Sequence, residues 1–169
     1  EFTSVFSDDI ETVEVFFANN QILFRSEHIS FYTRLLEGNY PDTDRLIPTE
    51  FNTEATFNVA NLRFAMERAR LLSNATQNGT VKLEFKNGVV SSHVHSPEVG
   101  RVNEEIDTSA VSGEDLSISF NPTYLIEALK AIDSEQVVIR FISSVRPFTL
   151  VPEGNEQGFI QLITPVRTN

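Results

Sequence analysis

The sequence has no cysteine, no tryptophan and one methionine, and its 13 Lys and Arg are outnumbered by 24 Asp and Glu, for a formal charge of -11. Each shortage excludes something. Without thiols there are no disulfides and no thiolate metal sites, which fits a reducing compartment and makes the cytoplasm the expected location. The acidic balance argues against a protein that grips nucleic acid by a broad basic surface, because duplex affinity comes mostly from Lys and Arg neutralising phosphates. Long apolar runs are also missing. The stretch at 137–139 meets charge at Arg140, far short of the roughly 18 residues a membrane span requires, so no membrane partner is expected. The opening Glu1-Phe2-Thr3-Ser4 has no Met, no basic segment and no apolar segment, so it reads neither as a natural start nor as a secretion signal, and a piece of a longer chain is expected.

Catalytic signatures are missing too. There is no Gly-rich phosphate loop, no G-x-S-x-G elbow and no H-E-x-x-H helix. Glu104 and Glu105 are neighbours on an expected strand, so they point to opposite faces and cannot form an acid–base dyad by themselves. The chain is therefore expected not to be an enzyme, and no catalytic residue, metal or cofactor is assigned. His93 and His95 alternate on a strand and share a face, and Glu98 is a nominal third ligand. They support an alternative reading as a small β-rich ligand- or metal-binding domain, although two solvated polar residues on an edge strand explain them more simply.

What is present is an ordered pattern. With 40% hydrophobic residues and 14 Phe, the chain can bury one or two modest cores. Period-two alternation predicts strands at 12–17, 21–26 and 28–36, with Asn19-Asn20 as a turn, and 38–44 is rich in turn formers and reads as a linker. A strand at 55–58, a helix at 59–73 and strands at 81–85, 89–95 and 101–107 follow. The order then recurs, with a strand at 116–121, a helix at 122–133 and strands at 137–141, 146–151 and 159–165. Phe57-Asn58, Leu62 and Ala65 match Phe120-Asn121, Leu125 and Ala128 at an offset of 63 (120 minus 57), and Val81, Leu83 and Phe85 match Val137, Ile139 and Phe141 at 56. The fold class expected is α+β, built from duplicated β-α-β-β-β units with two helices packed on antiparallel sheets. The opening meander has the same three-strand tail, as an earlier copy cut short, with 1–6 as a possible remnant of its helix.

Asn58 and Asn121 stand at N-cap positions, and Pro122 sits where its missing N–H costs nothing. Leu62, Ala65, Met66, Ala69 and Leu72 form the buried stripe of the first helix, and Leu125, Ala128, Leu129 and Ile132 that of the second. Phe64 and Leu71 lie away from the first stripe, where isolated apolar residues are common but a subunit contact is the more informative reading. Arg63, Arg68, Arg70 and Lys130 offer sparse positive charge on helical faces. The ending from Gly158 to Arg167 is apolar almost throughout, and such a tail completes a sheet, lines a groove, or does both.

Four separated segments carry a resemblance. The linker Gly38-Asn39-Tyr40-Pro41-Asp42 with Arg45-Leu46-Ile47-Pro48, the helix end Arg68-Ala69-Arg70-Leu71-Leu72-Ser73-Asn74, the junction Phe120-Asn121-Pro122-Thr123-Tyr124-Leu125 and the ending Thr164-Pro165-Val166-Arg167 together resemble the bacterial β sliding clamp, the β subunit of DNA polymerase III. The resemblance runs over essentially the whole chain, in order. It implies the DNA-clamp fold, with 1–39 as the latter part of a second domain, 40–51 as a linker and 52–169 as a third domain. It further implies a processivity factor whose head-to-tail homodimeric ring encircles duplex DNA with weak contacts. DNA polymerase III α, clamp-loader subunits, other polymerases and repair proteins would dock through short linear peptides. A ring stays on DNA without strong phosphate contacts, which removes the charge paradox.

Carried over by position, the peptide cleft would comprise Pro41, Arg45, Leu46, Gln77, Asn121, Tyr124, Pro147, Leu162, Ile163, Thr164, Pro165, Val166 and Arg167. The ring contact would use Phe64, Leu71 and Leu72 with Glu104 and Glu105 on a strand near 100–106, and Arg63, Arg70 and Lys130 would face DNA. Two departures bear on this. The second-domain segment around a His-Arg-Leu motif is absent, so the cleft is partial, and Gln77 replaces an aromatic of some relatives. Lacking the first domain, this chain is expected to be mainly monomeric.

Overall fold

The structure, a computed structural model, describes residues 5–6, 10–39, 42–73, 79–96, 100–154 and 158–167. The chain divides into two compact units between Asp42 and Thr43. The first holds one antiparallel sheet of β1 (Glu14–Phe17), β2 (Gln21–Arg25) and β3 (Ser30–Arg34) in that order. Pairing of Val15 with Phe24 and of Phe24 with Phe31 lines up apolar residues on one face, while Phe16, Leu23 and Tyr32 line up on the opposite one. On the other face Glu14 lies opposite Arg25 and accepts two hydrogen bonds from it, at 3.0 and 2.8 Å. The expected strands are all present, each shorter at its ends.

The second unit contains β4 (Thr53–Asn58), α1 (Val59–Ser73), β5 (Val81–Lys86), β6 (Val89–Ser96) and β7 (Gly100–Ile106). After these come β8 (Ala110–Gly113), β9 (Leu116–Phe120), α2 (Pro122–Lys130), β10 (Gln136–Phe141), β11 (Phe148–Pro152) and β12 (Gln161–Ile163). A single 3-10 turn, Thr43–Arg45, precedes them. The strands form a five-stranded sheet, β12-β11-β10-β4-β8, and a four-stranded sheet, β7-β6-β5-β9.

This order shows how the repeats fit together. Each repeat's leading strand leaves its own meander and pairs with the other's: β4 joins β10, and β9 joins β5. The exchange is reciprocal residue by residue. Phe57 lies opposite Val137 as Phe120 lies opposite Val81, and Ala55 lies opposite Ile139 as Ile118 lies opposite Leu83. The internal offsets read from the sequence are therefore the register of the two sheets. The helices pack against each other, which places them side by side as the duplication requires.

Why these segments form these elements is plain locally. Asn58 Oδ1 accepts from the Asn61 N–H at 3.0 Å, and Asn121 Oδ1 accepts from the Thr123 N–H at 2.9 Å, so both asparagines cap their helices. Asn87-Gly88, with φ of 52° and 77°, makes the two-residue turn that links β5 to β6. The second helix is shorter than the expected 122–133. It ends at Ala131, whose N–H turns to Ala128 O and Leu129 O, and Ile132 is buried in the connection that follows.

β8 is the strand the sequence reading lacks. It is four residues long with only Val111 apolar and bulky, too short to show alternation. Its place on the outer edge of β4 has a counterpart in the tail. Ser109 N–H donates to Thr56 O at 2.9 Å, and at the equivalent position of the second repeat Val166 N–H donates to Ser119 O at 2.7 Å.

The core lies between the sheets and the helices. The ring centroids of Phe85 and Phe141 lie 4.9 Å apart and those of Phe141 and Phe148 5.1 Å apart, both tilted, and Phe148 meets Phe120 edge-on at 5.2 Å, so fully buried rings run from one sheet into the other. Aromatic pairs at these separations contribute about 0.5–1.5 kcal/mol each beyond area burial. The stripe residues Leu62, Ala65, Met66 and Ala69 and Leu125, Ala128 and Leu129 are all buried, with Leu72 half-buried; Ile126, not assigned to the stripe, is buried as well.

Candidate functional site

A groove of about 470 Å³ opens between α2 and β12, lined by Tyr124, Glu127, Ala128, Gln161, Leu162, Ile163 and Thr164. Two local rules build it. Tyr124, Glu127 and Ala128 are three and four residues apart, so α2 presents them on one face. Ile163 is paired with Phe148 and Leu162 with Thr149, which holds the other wall to the five-stranded sheet. Ile163 is buried, Leu162 half-buried and Thr164 exposed, while Tyr124 is 60% exposed. A phenol ring left that open beside an aliphatic strand is an amphipathic wall rather than core. Glu127 is held by Lys130 at 2.9 Å, so the groove's acid is partly neutralised.

Of the residues assigned to a cleft, the groove gathers Tyr124, Leu162, Ile163 and Thr164. Asn121 caps the helix that carries Tyr124, and Pro147 precedes β11, whose Phe148 pairs with Ile163. Pro165, Val166 and Arg167 continue from the groove wall, with Val166 bonded to Ser119. Arg45 and Leu46 are exposed at the 3-10 turn, where Leu46 N–H donates to Thr43 O at 3.0 Å, and neither lines the groove. Pro41 and Gln77 lie outside the described residues. Glu127, Ala128 and Gln161 were not foreseen; helical spacing from Tyr124 would have found the first two.

A second cavity, about 230 Å³, lies between α1 and β7, and its lining includes Phe64, Arg68, Glu104 and Glu105. Phe64 is 48% exposed and Leu71 71%, whereas Leu72 packs against the core. Glu104 makes two hydrogen bonds with Arg68, which hold the guanidinium above its ordinary pKa. Arg68 is thus tied to β7 rather than free on the helix. β7 is the outermost strand of its sheet.

The other basic residues are spread out. Arg63 and Arg70 are half-buried on α1, and Arg63 lies 3.8 Å from Glu67 with its guanidinium over the Phe64 ring. Lys130 is exposed at the end of α2 and paired with Glu127.

His93 and His95 share the outer face of β6. His93 Nδ1 is 2.8 Å from Asn103 Oδ1, and Nε2 is 2.9 Å from Ser91 Oγ and 3.5 Å from Glu84. Both ring nitrogens are engaged in a polar ladder across three strands. Glu98 lies outside the described residues, and among those described no three His, Cys, Asp or Glu side chains gather as metal ligands. No described helix is long and apolar enough to cross a membrane.

Comparison with known proteins bears on all of this. Residues 44–167 match the family described as "DNA polymerase III beta subunit, C-terminal domain". A beta sliding clamp of Streptococcus pneumoniae is 79% identical over the whole of this chain, which covers 45% of that protein, and one of Lactococcus lactis is 55% identical over 99% of the chain, covering 45%. Among solved structures, the DNA polymerase III beta chain of Streptococcus pneumoniae superposes with a TM-score of 0.91 at 79% identity, covering 99% of this chain and 44% of that one. The sliding clamp of Bacillus subtilis gives 0.81 at 38% identity, covering 93% and 41%. The chain thus spans less than half the length of these relatives. Taken with the reciprocal repeat of the second unit, the matches show that the chain belongs to the DNA polymerase III beta subunit family and carries its C-terminal domain.

Proposed function

We propose that this chain is part of a non-catalytic processivity factor of chromosomal replication, a clamp that encircles duplex DNA and tethers polymerase and repair proteins through short linear peptides. The observation that carries the reading is the groove between α2 and β12. An open, largely aliphatic channel with one exposed aromatic and a few polar anchors is what a short extended peptide needs. Pro41, Arg45, Leu46, Gln77, Asn121, Pro147 and the tail as far as Arg167 would extend the lining. The family relationship supports the ring itself. Phe64, Leu71, Leu72, Glu104 and Glu105 would face a neighbouring subunit, and Arg63, Arg70 and Lys130 the DNA. With so few basic groups, retention on DNA rests on topology rather than on phosphate contacts. The domain assignment, 1–39 and 52–169 joined by 40–51, is consistent with a division between Asp42 and Thr43. Such a protein works on the chromosome, in the cytoplasm.

The test is fluorescence anisotropy with a short apolar clamp-targeting peptide. Tyr124→Ala and Arg167→Ala should each weaken binding by about tenfold while leaving the melting temperature within a degree or two, since both side chains are exposed. No saturable binding of the wild-type chain at millimolar peptide would remove the cleft.

A further inference from the structure

The walls of the groove continue past Ala128. Counting on from Tyr124 by three and four residues gives Glu127, Ala128 and then Ala131, all on one face of α2. Ala131 lines a further cavity of about 210 Å³, together with Ile132, Asp133, Pro152, Glu153 and Phe159. The opposite wall advances in step: Gln161, Leu162, Ile163 and Thr164 line the groove, and Phe159 lines the cavity. β12 runs antiparallel to β11, so moving back along the tail from Ile163 towards Phe159 moves along β11 from Phe148 towards Pro152. The two cavities therefore follow one another along the same pair of elements.

Their chemistry differs. The groove is largely aliphatic, and its one acid, Glu127, is held by Lys130. The cavity has an apolar floor, since Ile132 and Pro152 are buried and Phe159 packs against the core. Its acids, Asp133 and Glu153, are exposed, and none of the ion pairs among the described residues uses either. It also lies at the C-terminal end of α2, where aligned peptide dipoles add partial negative charge. The basic residue of that last turn, Lys130, is already paired with Glu127. Negative charge gathered at a helix C-terminus is a local mismatch that a cation relieves. A cation on an aliphatic stem suits both parts, with the stem on Ile132 and Phe159 and the head beside the two carboxylates.

We propose that this cavity takes a lysine or arginine side chain of the peptide whose apolar residues fill the groove, so that the site selects partners with a basic residue at a fixed spacing from their apolar core. The inference rests on the peptide-docking reading of the groove. The spacing follows from the helix. Tyr124 and Ala131 are seven residues apart (131 minus 124), about 10 Å at about 1.5 Å per residue, and an extended chain covers that distance in about three residues.

The test is fluorescence anisotropy of the full 169-residue chain with peptides that share one apolar core and carry Arg, Gln or Glu about three residues from it, on either side. For one of the two placements the Arg peptide should bind about three- to tenfold more tightly than the Gln peptide and the Glu peptide more weakly, and high salt should narrow the differences. Asp133→Lys combined with Glu153→Lys should reverse the order and make the Glu peptide the tightest, with circular dichroism checking that the variant is folded. An Arg peptide no tighter than the Gln peptide at either placement overturns the proposal and leaves the groove standing. So does an Arg advantage that survives the charge reversal, which would be the general attraction of a cation to a chain of charge -11. A Gln peptide that does not bind at all removes the groove, and this proposal with it.

Discussion

At the scale of single residues, burial and backbone conformation decide what can change. Gly113 sits at φ 97° in β8, and a Cβ there would lie 1.9 Å from Asn52 O. Gly113→Ala should therefore cost at least about 2 kcal/mol, lowering the melting temperature by roughly 4–8 °C in a calorimetric scan. Nothing in the sequence announces this, because the strand that needs the glycine is too short for its alternation to be seen. The phenylalanines are the reverse case. Phe57, Phe85, Phe120 and Phe141 stand out in the sequence as matched positions of the two repeats, and all four are fully buried. Tyr124 is different again. Helical phase puts it on the rim of the second stripe, but only the fold shows that β12 faces it.

At the scale of elements, capping and pairing carry the argument. Asn121 is the N-cap of a helix of only nine residues, so Asn121→Ala should destabilise the protein by about 1 kcal/mol and loosen the groove wall with it. The check is urea denaturation together with peptide affinity; a stability loss with unchanged affinity would show that the wall is set by β12 alone. The order of elements was legible because apolar periodicity survives wherever an element has one buried face. The ends of strands were not, since the residues at 12–13, 26 and 28–29 alternate in sequence but make no ladder pairs. The tail is expected as one strand over 159–165, whereas only Gln161–Ile163 forms a strand; Phe159 before it packs against the core, and Val166 beyond it bonds to Ser119.

For the molecule as a whole, the exchange of β4 and β9 matters most. Neither repeat can complete a sheet from its own strands, so a second unit divided at 114–115 should give two pieces that are unfolded singly and regain native circular dichroism when mixed. Independent folding of either piece would contradict the exchanged pairing. The sequence showed two copies but could not show this crossing, because a strand's alternation says which face it buries and not which meander it joins. The cleft residues of the linker illustrate the same limit: Arg45 and Leu46 were placed by resemblance, and no periodicity ties them to α2.

The final strand has two obligations at once. Ile163 fastens it to Phe148 inside the sheet, and its neighbours Leu162 and Thr164 form a wall that a visitor would touch. Occupancy and seating of the terminus are therefore linked equilibria: whatever fills the channel must slow amide exchange at Ile163 and Val166, and whatever frays the last residues must also empty it.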